Sequence, residues 1–340
     1  MTSERVFHKP ALLRGIHYPP RSHRSSAMNR IVSLIILLVL VFEQASPASR
    51  TPIRAKHGMV VSAESLATAV GVEVLKHGGN AIDAAVAVGF MLAVTYPEAG
   101  NIGGGGFMLI RLADGRTTMI DFREKAPAAA THNMYLDSVG NPIVEKSLLG
   151  PLAVAVPGTV AGLLHALTTY GTMSRDDVLD RAIEVAEEGF RLDRRQASAL
   201  NSARSDLLLF ESTRKVFMHD TTTLQEGELL RQPDLARTLS AIRDEGRDGF
   251  YEGEVARNIV AEMHRSGGII SLEDLSSYRP VERQPLTGTY RGYEIISSAP
   301  PSAGGTVLLG MLNTLEHFDL KSKGFGSSQA VHLFAAAAQR

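Results

Sequence analysis

Residues 81–127 read AIDAAVAVGFMLAVTYPEAGNIGGGGFMLIRLADGRTTMIDFREKAP, and the order of elements in this stretch decides the fold class. Positions 81–95 are apolar almost all round, which is the pattern of a buried helix. Pro97 stops it, and Gly100-Asn101-Ile102-Gly103-Gly104-Gly105-Gly106 follows. Two alternating runs come next, FMLIRL at 107–112 and TTMIDF at 117–122, joined by Ala113-Asp114-Gly115-Arg116. Asp-Gly between such runs is a strong hairpin signal, because glycine accepts the positive φ that the turn needs. The order is therefore helix, glycine turn, hairpin. A nucleotide site needs strand, glycine loop, helix, and no Gly-Lys-Ser/Thr follows the glycines. The run is read instead as a place where backbones pack closely or φ is positive.

Working outward, residues 62–77 (SAESLATAVGVEVLKH) carry an apolar face made by Leu66, Ala69, Val70, Val72 and Leu75. Ser62 is the expected N-cap, Gly78-Gly79 the stop, and Asn80 the cap of the next helix. Downstream, 157–170 and 176–189 read as helices with Gly171 and Gly189 at their ends. Residues 233–267 read as two helices with Gly246, Gly249 and Gly253 between them. Residues 287–297 alternate like strands, and Pro300–Gly305 is a stiff turn before an apolar helix at 306–316. Helix and strand signals alternate throughout, so the class is α/β (α+β).

The chain has 340 residues, 44% hydrophobic and 21% charged, which excludes a disordered chain, a collagen and a coiled coil. Its net charge of −1 excludes a nucleic-acid binder that works by bulk basic charge. Cysteine is absent, so no disulfide framework, thiol nucleophile or cysteine-based zinc site exists. The near-neutral balance is a cancellation: residues 1–50 hold seven basic and two acidic residues, and residues 51–340 hold 28 and 34. The first fifty residues therefore read as a separate piece. Within it, IVSLIILLVLVF at 31–42 is short for a membrane span and fits the apolar core of a signal peptide. Arg30 is the positive flank, Ser46 and Ala48 offer a small-residue cleavage site, and Met28 is the expected start. The other reading of 31–42 is an uncleaved membrane anchor.

Local candidates for chemistry are few. The eight histidines beyond residue 50 form no His-Glu-x-x-His pair, so no metal site is expected. No Gly-x-Ser-x-Gly elbow exists, and Ser212-x-x-Lys215 lacks its Lys-Thr-Gly partner. Asp220–Thr223 reads as a polar loop. Arg123, in Asp121-Phe122-Arg123-Glu124 at a strand end, presents a planar fork suited to a carboxylate. Read locally, a salt bridge to Asp121 or Glu124 is the simpler expectation.

Seven motifs change that weighting. GMVVSAESLATAVGVEVLKHGGNAIDAAVA (58–87), GNIGGGGFMLIRL (100–112), IDFREKAP (120–127), VPGTVAGL (156–163), QPDLARTL (232–239), FYEGEVA (250–256) and APPSAGGTVLLGMLNTLE (299–316) resemble, in order, the gamma-glutamyltransferase family. That family is also called gamma-glutamyltranspeptidase or glutathione hydrolase. The resemblance runs from about Arg54 to Arg340 and corresponds to the N-terminal part of the large subunit. It implies an N-terminal-nucleophile hydrolase, an αββα sandwich incomplete here because the small subunit is missing. It divides the chain into a leader, 1–50, and a large-subunit portion, 51–340.

The resemblance further implies transfer of the γ-glutamyl group of glutathione and related compounds to water, amino acids or peptides. The family does this through an acyl-enzyme formed on a threonine that self-cleavage of a proenzyme exposes, without a cofactor. Arg123 matches the arginine that pairs with the glutamyl α-carboxylate. The threonine and the oxyanion glycines match positions beyond Arg340, so no catalytic residue is expected within 1–340 and these residues alone are expected to be inactive. The implied partners are glutathione and other γ-glutamyl compounds and a self-derived small subunit, with no nucleic acid; the anchor reading of 31–42 would add membrane association through that run. The implied location is periplasmic or extracellular. Pro300–Gly305 matches a family segment without an assignable role. Without the second subunit, apolar sheet faces and edges are expected to be exposed. Two rivals stand beside this reading: a non-catalytic exported remnant, and a sister acylase acting on poly-γ-glutamate or β-lactam side chains.

Overall fold

Asn80 sets the direction of the central helix. Its Oδ1 accepts from the N–H groups of Ile82 and Asp83, and Asp83 Oδ2 accepts from Asn80 N in return. This reciprocal cap starts helix α2 (Ala81–Thr95), which follows helix α1 (Ser65–Lys76). The structure is a computed structural model, and it describes residues 52–339. The expected leader, with its apolar core at 31–42 and its start at Met28, lies outside the described residues. From His57 onward the chain forms one unit.

Helix α2 is buried on nearly every side, as its all-apolar sequence requires; Val86, Ala87, Phe90, Met91 and Val94 are sealed from solvent. It packs against α1, α3 (Thr159–Tyr170) and α4 (Arg175–Glu188). The cap of α1 differs from expectation. Ser62 is not the N-cap; Glu64 is, its Oε2 accepting from Ala67 N at 2.9 Å and from Thr95 Oγ1 at 2.8 Å. Ser62 Oγ instead donates to Glu64 O. The physical reason is tertiary: the last residue of α2 offers the buried glutamate a second donor.

The hairpin forms in the expected place. Strand β1 (Phe107–Arg111) pairs antiparallel with β2 (Thr117–Asp121), with Leu109 opposite Met119. Gly115 takes φ +89° in the connecting turn, and Asp114 Oδ1 accepts from Arg116 N. A third strand, β3 (Val281–Arg283), adds to the other edge of β2. Its sequence does not announce it, because three residues are too few for a visible alternation. Glu282 of β3 ties the sheet to α3 by accepting from Tyr170 Oη at 2.9 Å and His165 Nε2 at 2.8 Å. Strand β2 is covered on both faces: Ile120 and Phe122 join the helical core, and Met119 lies buried on the opposite side, with Ala299 N at 3.1 Å from its sulfur.

Longer helices that follow α4 include α5 (Arg194–Ser202), α6 (Pro233–Glu245), α7 (Gly253–Ser266) and α8 (Leu272–Ser277). A short helix, Asp248–Tyr251, occupies the glycine-rich break between α6 and α7. Asp220–Thr223, read as a loop, is half turn and half strand: Asp220 and Thr221 make the turn of a small hairpin in which Met218–His219 pairs with Thr222–Thr223. The alternating 287–297 stretch is a hairpin, β4 (Leu286–Tyr290) and β5 (Tyr293–Ser297), and α9 (Ala303–Glu316) packs on it. Helix α10 (Ser328–Ala338) packs on α9. Although α9 is strongly apolar, only Gly305 and Leu315 of it are buried, and Val307, Leu308, Val331 and Phe334 face solvent. Apolar surface is thus exposed around α9 and α10, and at the sheet by Leu109 and Val281.

Candidate functional site

The glycine run and Arg123 belong to one construction. The β1–β2 ladder continues past the strands, with Phe122 N donating to Gly106 O and Gly106 N to Phe122 O. The 104–106 backbone therefore lies directly against 122–124. A Cβ on Gly105 would sit 2.5 Å from Phe122 O and 2.8 Å from Glu124 N. None of Gly103–Gly106 has a positive φ. Close approach of backbones, not turn geometry, is thus what Gly105 serves, whereas a Cβ on Gly103 would meet nothing nearer than 3.9 Å. Gly104 O then accepts from Gly158 N and Thr159 N at the start of α3, joining that helix to the loop. The Phe122 ring is buried where a Cβ on Gly162 of α3 would come within 2.1 Å of it.

With Phe122 turned inward, Arg123 points outward and is exposed. Its guanidinium has no hydrogen bond or ion pair among the described residues, and the local expectation of a salt bridge to Asp121 or Glu124 is not met. Asp121 is engaged elsewhere: its Oδ2 accepts from Arg283 Nε at 2.8 Å, and its Oδ1 accepts from the backbone N–H of Arg123 at 3.1 Å. Arg283 lies on β3, so a strand far along the chain supplies the cation that local reasoning assigned to Arg123. The result is an exposed guanidinium with its five donors available.

The other side of the turn is held by an aromatic pair. Tyr278 Oη donates to Arg123 O at 2.8 Å. The Tyr278 ring is buried and stacks on Tyr251, with centroids 5.8 Å apart and planes 6° from parallel. Tyr251 Oη donates to Pro157 O at 2.8 Å. Burial, with lesser help from the charges of Asp121 and Glu124, pushes the Tyr278 phenol well above its ordinary range, so it stays a proton donor. Lys125 Nζ lies 5.0 Å from the Tyr278 ring centroid and donates to Arg279 O. Sequence reading missed Tyr278, Tyr251 and Arg283, because the chain separates each from Arg123 by more than a hundred residues.

The other candidates carry no comparable arrangement. Ser212 and Lys215 lie on one short helix, and Lys215 pairs with Glu211. Among the described residues, no three His, Asp or Glu side chains converge as metal ligands. A groove of about 740 Å³ between α6 and α7 is lined by Asp234, Arg237, Glu254 and Glu262, and its arginine pairs with Asp234.

The sequence profile of the gamma-glutamyltranspeptidase family matches residues 67–340. The chain belongs to that family. It is 50% identical over 287 residues to the glutathione hydrolase proenzyme of Escherichia coli (strain K12), covering 84% of this chain and 50% of the relative. It is 41% identical over 294 residues to the acylase ACY 1 proenzyme of Pseudomonas sp. (strain SE83), covering 85% of this chain and 53% of the relative. The crystal structure of Helicobacter pylori gamma-glutamyltranspeptidase superposes with a TM-score of 0.83 at 49% identity, covering 85% of this chain and 83% of that one. The α/β class and the family resemblance read from the motifs are thus borne out. The chain spans about half the length of the curated relatives it matches.

Proposed function

We propose that the full-length protein is a gamma-glutamyltransferase, or glutathione hydrolase, made as a proenzyme, and that Arg123 holds the α-carboxylate of the γ-glutamyl donor. The observation that carries this reading is the outward Arg123 guanidinium, without a hydrogen bond or ion pair among the described residues, on a backbone secured at both ends within the Asp-Phe-Arg-Glu motif. A guanidinium fork binds a carboxylate through two parallel N–H···O bonds. Holding the donor by that end orients its γ-carbonyl for attack, and the acyl group then passes to water or an amino acid. No nucleophile is assigned to these 340 residues. The expected subunit partner is a self-derived small subunit.

The test is Arg123→Ala in the self-processed enzyme. Loss of a bidentate charged contact of about 2–3 kcal/mol raises KM for a γ-glutamyl anilide roughly 30- to 150-fold. An unchanged KM would refute the assignment. The acylase ACY 1 relative supports a second reading, an acylase for other side chains such as poly-γ-glutamate or those of β-lactams. Turnover of a β-lactam side-chain amide in preference to the γ-glutamyl anilide would favour it.

Export is proposed on the apolar run at 31–42 and the basic excess of 1–50, with 51–340 as the large-subunit portion. Among the described residues, no helix is long and apolar enough to cross a membrane. Periplasmic or extracellular location follows from cleavage after Ala48, which N-terminal sequencing of the mature protein reads directly.

A further inference from the structure

The Arg123 peptide is gripped on both sides by side chains. Its N–H donates to Asp121 Oδ1 at 3.1 Å, and its C=O accepts from Tyr278 Oη at 2.8 Å. Each gripping group is itself immobilised. Asp121 has a side chain only 8% exposed and is paired with Arg283. Tyr278 is 2% exposed, lies on Tyr251, and has its backbone carbonyl bonded by Arg247 Nη2 at 3.2 Å and Arg279 Nη1 at 2.7 Å. The fit around the hydroxyl is close: a Cβ on Gly158 would lie 2.2 Å from Tyr278 Oη and 2.0 Å from Phe122 O. The tyrosine therefore cannot slide without moving α3.

An exposed arginine on an ordinary loop would sample many positions. Here, among the described residues, the hydrogen bonds act on the backbone of Arg123 and none on its guanidinium. We propose that Tyr278 and Asp121 are positioning residues of the donor site, clamping the Arg123 backbone so that its side chain starts from a fixed Cα and direction while the guanidinium donors stay free for the substrate carboxylate. The proposal rests on the reading of Arg123 as the carboxylate holder. Its physical basis is leverage: a small lean of the peptide is magnified along the arginine side chain, and a misplacement of about 1 Å can cost on the order of 100-fold.

The experiment is a double-mutant cycle in the self-processed, full-length enzyme with Tyr278→Phe, Arg123→Ala and the combination, assayed with a γ-glutamyl anilide. Tyr278→Phe keeps the ring, its stacking and its burial, and deletes only the bond to Arg123 O. The expected result is a KM for the donor raised about three- to tenfold, with kcat within about twofold, because the carboxylate contact exists equally in ground and transition states. In the Arg123→Ala background the same change should alter KM by less than about twofold, since a residue acting through Arg123 has nothing left to act on. A merely structural tyrosine would lower the yield of processed enzyme without this dependence.

If Tyr278→Phe yields too little enzyme, Asp121→Ala replaces it in the same cycle with the same expectation, since the half-exposed Arg283 can turn to water. A donor KM unmoved by the substitution, or an effect that persists in full without Arg123, overturns the proposal while leaving the Arg123 assignment intact. A donor KM unmoved by Arg123→Ala itself overturns both.

Discussion

Replacing Asp83 by asparagine removes one charge and adds one amide, and the structure says what that costs. Asp83 is fully buried near the start of α2. Its Oδ2 accepts from Asn80 N at 2.8 Å and Thr172 Oγ1 at 2.7 Å. Its Oδ1 accepts from Thr172 N at 2.8 Å and Met173 N at 3.2 Å. The carboxylate thus joins the start of α2 to the loop between α3 and α4. An asparagine has one acceptor oxygen. If that oxygen faces Thr172 N and Met173 N, the new NH₂ faces the N–H of Asn80; if it is flipped, two backbone donors are orphaned. No room exists for a rescuing water on the Gly171 side, where a Cβ would already lie 2.5 Å from Oδ1. One orphaned buried donor costs about 1–3 kcal/mol, and the remaining bonds lose their charge assistance. The sum is about 3 kcal/mol, a fall of about 1 M in the urea midpoint for slopes of about 2–3 kcal/mol/M.

The pH dependence adds a second check on Asp83. Burial works against the charged form, but the bonds from Asn80, Thr172 and Met173 outweigh it and hold the carboxyl below its ordinary range. A depressed folded-state value means the stabilisation is complete above the unfolded value of about 3.9 and is lost as pH falls through the folded one. The gap between wild type and Asp83→Asn should therefore be full at pH 7 and shrink below about pH 4. A midpoint shift under about 0.3 M at pH 7, or a gap that widens on acidification, would refute the reasoning.

Gly158→Ala should cost about 3 kcal/mol or more, because its Cβ meets a backbone oxygen that cannot yield, whereas Gly310→Ala in α9, with nothing within 4 Å, should be neutral or stabilising; comparing thermal midpoints of the two variants reads this directly. Glu64→Ala removes the N-cap of α1 and the partner of Thr95 Oγ1, so a loss of about 2 kcal/mol is expected in urea unfolding. A loss under about 0.5 kcal/mol would show that the cap is dispensable.

Much of the fold is legible in the chain because its signals are local. The all-apolar run at 81–95 and the Asn80 cap specify α2 to the residue. Asp-Gly specifies the hairpin turn, and proline and glycine mark the ends of α3, α4 and α6. What failed is what depends on distant partners. Ser62 looked the better cap until Thr95 of α2 made Glu64 one. Strand β3 is too short to show a pattern and exists because β2 offers it an edge. Helix α9 reads as an apolar helix, yet among its large apolar residues only Leu315 is buried, and Val307 and Leu308 face solvent.

The candidate site divides in the same way. The chain's own order of residues determined the family, the α/β class, the glycine run and the arginine to watch, since each is a property of contiguous residues. Only the tertiary structure decided why that arginine is available. Arg283, 162 residues from Asp121, takes the carboxylate that a neighbour of Arg123 would otherwise share with it. Tyr278, 155 residues away, holds the Arg123 carbonyl. A hydrogen bond needs its partners within about 3 Å in space and is indifferent to their separation along the chain, so no reading of neighbours could have found either.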